Sequence, residues 1–159
     1  MIPKKGRGFF ACALLFFLML VIKMQDLSPK MSIQDVNKLS MLALAHVGDG
    51  VYELLFRSKL ALEGHSNVST LHRLTVSNVN AVAQAKAVEK ILPSLEAEEL
   101  AVYKRGRNTK VNSVPHNENI GQYHAATGLE ALFGWLYLLG RTERIKQLFE
   151  LITEDSNAT

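Results

Sequence analysis

The sequence predicts an all-α domain. Apolar residues recur at three- and four-residue spacings from residue 39 onward, and no stretch alternates with the two-residue period of a half-buried strand. The helical stretches are bounded by capping residues, glycines and a proline. The 159 residues are enough for one such domain, and a composition 48% apolar and 21% charged is that of a folded chain.

The elements follow in order. Ser32 and Asp35 form an S-x-x-D capping signal. Leu39, Leu42, Leu44, Val47, Val51, Leu54 and Leu55 then carry a helix to about residue 63, where Gly64 caps it. That run is apolar on most sides, which predicts a central helix. Residues 69–92 read as a second helix, Ala-rich at Ala81, Ala83, Ala85 and Ala87 and halted by Pro93. A short helix over 94–104 runs from acidic to basic, and an Asn-containing loop spans 106–119. A long helix over 120–139 ends at Gly140, and a last helix covers 142–153.

The net charge is +3, but residues 1–30 hold Lys4, Lys5, Arg7, Lys23 and Lys30 against Asp26, leaving the body at −1. A polyanionic partner must therefore be argued from local clusters. Residues 8–22, GFFACALLFFLMLVI, are uncharged and follow a basic stretch. They admit three readings: a start assigned upstream of Met24 or Met31, a membrane anchor, or an export signal without a clear cleavage site. A spanning helix needs about 20 apolar residues, so a membrane location is not favoured. The domain is placed at 31–159, in a reducing compartment such as the cytoplasm, since Cys12 is the sole cysteine.

Two carboxylates stand out. Asp49 lies within LALAHVGDGVYELLF between Gly48 and Gly50, although each glycine costs a helix interior about 1 kcal/mol relative to alanine. Something is expected to approach that backbone closely. Glu130 repeats the pattern within ATGLEALFGWLYLL, with Gly128 and Gly134 nearby. An Asp and a Glu on packed helices could share a hard divalent ion such as Mg²⁺. Equally, each could cap a turn or pair with an arginine such as Arg57. Glu53 is placed for an i,i+4 pair with Arg57, and His46 reads as a packed core histidine.

No metal-type histidine spacing, P-loop, G-x-S-x-G or G-x-G-x-x-G occurs. The local basic cluster is KRGRNTK at 104–110, where Gly106 permits a tight turn. Lys104, Arg105, Arg107, Asn108 and Lys110 suit a phosphate backbone, or simply a solvated helix end. Phe133, Trp135 and Tyr137 are candidates for a subunit surface, or plain core.

Four blocks in order, LALAHVGDGVYELLFR at 42–57, STLHRL at 69–74, KRGRN at 104–108 and YHAATGLEALFGWLYL at 123–138, resemble the ribonuclease III catalytic domain. The likeness is strongest to its small bacterial branch, Mini-ribonuclease III, which lacks a double-stranded-RNA-binding domain. The resemblance implies a helical bundle working as a homodimer. It implies Mg²⁺ held by Asp49 and Glu130, cleavage of double-stranded RNA, and maturation of 23S ribosomal RNA precursor, with a ribosomal protein as possible helper. Larger members carry a glutamate four residues before the Asp, here Ala45, and an aspartate three before the Glu, here Thr127. Fewer carboxylates imply weaker Mg²⁺ affinity. Glu53 and Thr127 are candidates for supporting the pair from behind. An RNA-binding module of this fold that does not cut, and a membrane-tethered form of the enzyme, are the competing readings.

Overall fold

The computed structural model describes residues 29–110 and 119–154. Among them the chain forms α1 (Ile33–Val36), α2 (Met41–Leu62), α3 (Val68–Val79), α4 (Ala81–Ile91), a 3-10 turn (Leu92–Ser94), α5 (Ala97–Arg107), α6 (Ile120–Leu138) and α7 (Thr142–Thr153). No strand occurs among the described residues. The all-α expectation holds. Of the leader at 1–30 only residues 29 and 30 are described, and its apolar stretch 8–22 lies outside the described residues.

Two predicted helices are each divided. Ser32 does cap a helix, but only the four residues of α1; Ser40 accepts from the Ala43 amide and starts α2 afresh. The predicted 69–92 helix breaks at Asn80. Its Oδ1 accepts from the Ala83 amide while its Nδ2 donates to the Val76 and Ser77 carbonyls, so one side chain ends α3 and opens α4. Gly64 and Gly140 both have positive φ, 88° and 72°, as their helix-ending positions require.

The longest helices, α2 and α6, form the centre and make the most extensive helix–helix contact. The crossing is main chain against main chain. A Cβ on Gly48 would overlap the Glu130 carbonyl and lie 2.6 Å from the Gly134 nitrogen; one on Gly134 would overlap the Leu44 carbonyl. Below the crossing, Tyr52 meets Phe56 and Phe133 edge-on at 5.1 and 5.4 Å, and Phe56 meets Phe149 of α7 at 4.9 Å. Phe133 and Trp135 are buried in this core, which removes them as candidates for a subunit surface.

A second close approach joins α5 to α6. A Cβ on Gly106 would sit 2.7 Å from the Ala131 Cβ and 3.1 Å from the Gly128 Cα. Gly106 is thus a helical residue needed for packing, not for a turn. On the far side, the buried Glu99 accepts from Arg144 at 2.8 and 2.9 Å, and Arg144 also donates to the Ser94 carbonyl at 2.7 Å, tying α7 to the start of α5.

Candidate active site

Both singled-out carboxylates belong to the α2–α6 crossing. Asp49 follows Gly48, the residue against which the Glu130 carbonyl packs. Glu130 is half-buried on α6, while Asp49 reaches solvent. Asp49 is therefore not submerged as its apolar neighbours in sequence had implied. Nearly every side of α2 carries apolar residues, yet Leu42 and Leu54 also lie exposed, at 43% and 49%. His46 shares the exposed surface, which corrects its reading as a core histidine.

Glu130 feels the charge of Asp49. Burial, and then the negative charge of Asp49, push the Glu130 carboxyl up to about 7, with the Gln84 amide acting in the opposite direction. Asp49 is raised by partial desolvation and then by Glu53, with His46 opposing. Among the described residues, neither carboxylate forms an ion pair. Arg57 instead donates through Nε and Nη2 to Glu53 at 3.0 and 2.6 Å. The arginine alternative for Asp49 thus falls, while the Glu53–Arg57 pair stands as predicted.

Two uncompensated carboxylates are a donor set for a hard divalent cation. Among the described residues no group of three His, Cys, Asp or Glu converges that could hold a metal. A pair fits an ion such as Mg²⁺, which commonly keeps several waters and takes one or two carboxylates. Ala45 and Thr127, where larger relatives carry acids, are 6% and 5% exposed. Added charges there would be buried at costs this packing does not offset. Thr127 donates its hydroxyl to the Tyr123 carbonyl at 3.1 Å, and its own carbonyl faces Gly106.

The basic cluster is not on a loop. Lys104, Arg105 and Arg107 form the last turn of α5, Asn108 is its C-cap, and Lys110 lies just beyond. Basic side chains complement the negative end of the helix dipole, which keeps the helix going past the glycine read as a turn. All five side chains are exposed, and none of the four cations is ion-paired among the described residues. Their helix is seated on α6 at Gly128 and Ala131, which bracket Glu130.

Sequence reasoning missed Gln84. This residue is 1% exposed, and its Nε2 has no hydrogen-bond partner, although the amide lies near enough to Glu130 to favour its charged form. A signal was present: Gln84, Val88 and Ile91 share one helical stripe, and a polar residue in such a stripe asks for a reason.

A family model for the Ribonuclease III domain matches residues 42–141. The Mini-ribonuclease 3 of Thermoanaerobacter sp. is 44% identical over 118 residues, covering 74% of this chain and 83% of the relative. That of Clostridium tetani is 39% identical over 120 residues, covering 75% and 80%. A crystal structure of a Fusobacterium nucleatum protein, 35% identical, superposes with a TM-score of 0.67 over 74% of this chain and 94% of that one. With the family's domain running through both carboxylates and the basic helix end, the chain belongs to the ribonuclease III family and is an endoribonuclease of that type.

Proposed function

We propose that the chain cuts double-stranded RNA with the help of Mg²⁺ bound by Asp49 and Glu130, and that its substrate is the precursor of 23S ribosomal RNA. The observation that carries the metal reading is that Asp49 and Glu130 both lie at the α2–α6 crossing and neither forms an ion pair among the described residues, while the charge of Asp49 raises the half-buried Glu130 carboxyl. When bound, the ion would polarise the scissile phosphate and lower the pKa of the attacking water. Asp49 and Glu130 hold the negative charge that attracts it. Lys104, Arg105, Arg107 and Lys110 grip phosphates, and Asn108 adds a polar contact. Recognition by shape and phosphate suits A-form RNA, whose wide minor groove displays 2′-hydroxyls. The ribosomal substrate, a helper protein from the ribosome, and a homodimer in which each subunit cuts one strand rest on the likeness to Mini-ribonuclease 3. Cytoplasmic action is proposed on the same basis; no described helix is long and apolar enough to cross a membrane.

The test is cleavage of a 23S precursor and of an unrelated long duplex, with Mg²⁺ or with chelator, by wild type, Asp49→Asn and Glu130→Gln. Cutting that needs Mg²⁺ and both carboxylates is expected. A folded sample that binds the RNA and leaves it intact would favour the non-cutting module. Equal cutting of both substrates would remove the ribosomal assignment and leave the reaction.

A further inference from the structure

Gln84 occupies a position where an apolar side chain would pack at lower cost. Its neighbours along the α4 stripe, Ala87, Val88 and Ile91, are all core residues, and α4 packs on α6. The side chain is 1% exposed, and its Nε2 is left without a partner, which carries the desolvation cost of an unsatisfied donor. The group on α6 that this amide influences is the Glu130 carboxylate.

The residue type fits such a location. A carboxylate accepts hydrogen bonds only, and an amide can donate to it without bringing charge. Lysine or arginine would satisfy the same oxygen but would cancel the negative charge that a cation needs.

We propose that Gln84 is a positioning residue for the metal pair: its Nε2, unpaired in this structure, donates to Glu130 once that carboxylate turns toward a divalent cation shared with Asp49, and so fixes the orientation in which the cation is held. The proposal rests on the reading of Asp49 and Glu130 as metal ligands. Gln84 touches neither the RNA nor the reacting atoms. It acts through Glu130, by removing the rotational freedom that cation binding would otherwise have to freeze.

The test uses the full chain and two variants. Gln84→Met keeps the length and volume without the donor; Gln84→Asn keeps the amide but withdraws it by one methylene. Mn²⁺ binding without RNA is followed by the loss of the free-ion electron paramagnetic resonance signal, alongside the Mg²⁺ dependence of cleavage. Both variants are expected to bind Mn²⁺ about tenfold more weakly, the factor for one charge-assisted hydrogen bond. The Mg²⁺ half-saturation should move by the same factor, while kcat at saturating Mg²⁺ stays within about threefold and KM for RNA is unchanged. A folded Gln84→Met protein with wild-type Mn²⁺ affinity overturns the proposal. So does a Gln84→Asn protein with wild-type affinity, should Gln84→Met fail to fold. Glu130→Gln separates the two readings: if it binds Mn²⁺ as wild type does, the ligand assignment has failed rather than the role of Gln84.

Discussion

Gly48 and Gly134 meet backbone to backbone: a Cβ on Gly48 would lie 2.6 Å from the Gly134 nitrogen, and one on Gly134 would lie 3.0 Å from the Gly48 nitrogen. Gly48→Ala cannot be relieved by a rotamer change, because the obstacle is the Glu130 main chain. It should cost about 3 kcal/mol or more. Gly50, two residues on, has open space where a methyl group would stand, with nothing within 4 Å. Gly50→Ala should therefore gain up to about 1 kcal/mol from helix propensity. Urea unfolding of the two variants checks both signs, and equal effects would contradict the crossing.

Glu130 makes stability fall with rising pH. Its carboxyl, at about 7 in the folded chain against 4.5 as the reference value, binds more protons when folded across that interval. Its contribution is fully present below the reference value and is lost as pH rises through 7. The loss is about 3 kcal/mol. Glu130→Gln should remove most of this slope and be more stable than wild type at pH 8 in the absence of divalent ions. Denaturation midpoints at pH 5 and pH 8 decide the matter; parallel slopes for the two proteins would exclude Glu130 as the source.

The cation should reverse that trend. An ion that binds the ionised pair displaces the proton Glu130 otherwise keeps, so Mg²⁺ affinity should rise with pH up to about 7 and then level. Calorimetric titration at several pH values, in buffers of different ionisation enthalpy, reports the proton release directly. Affinity independent of pH would mean that the ion binds elsewhere.

Arg144 holds the opposite pole of the electrostatics. Burial would raise the Glu99 carboxyl, but hydrogen bonds from Arg144 and the Glu96 amide outweigh it and leave the group below its ordinary value. That stabilisation is present above the ordinary carboxylate value and is lost as pH falls below it. Arg144→Met strands the Glu99 charge and should cost about 3 kcal/mol or more. Adding Glu99→Gln should recover part of this, and a double variant no better than the single one would show that packing alone was lost.

Removing Lys104, Arg105, Arg107 and Lys110 together should leave the fold unchanged, since all four project into solvent. RNA binding measured with chelator should weaken, and the dependence of log affinity on log salt should flatten by about 0.7–0.9 per lost phosphate contact. An unchanged salt slope would place the RNA on another surface.

The helices were legible because helical period and caps are local signals, and a charge within an apolar run singled out Asp49 and Glu130, of which only Glu130 is half-buried. What escaped was tertiary. Asn80 serves two helix ends at once, and nothing in an alanine-rich run announces that a single residue will turn the chain there. Gly106 looked like a turn because close helix packing and tight turns ask for the same residue; only the presence of Gly128 and Ala131 against it distinguishes them. Glu99 and Arg144 lie 45 residues apart, and a buried ion pair between them leaves no mark on either local pattern. His46 failed for a related reason: an apolar sequence neighbourhood does not say which side of the helix faces out.

The two glycine contacts fall on the same helix, with Gly128 and Gly134 about 9 Å apart along α6 and Glu130 between them. One hangs the basic end of α5 and the other hangs α2 with Asp49, so α6 acts as a gauge with both marks cut into its main chain. Exchanging one core side chain for another of similar volume changes how firmly the instrument is held together, not what it measures. Recalibrating it would require moving backbone past backbone.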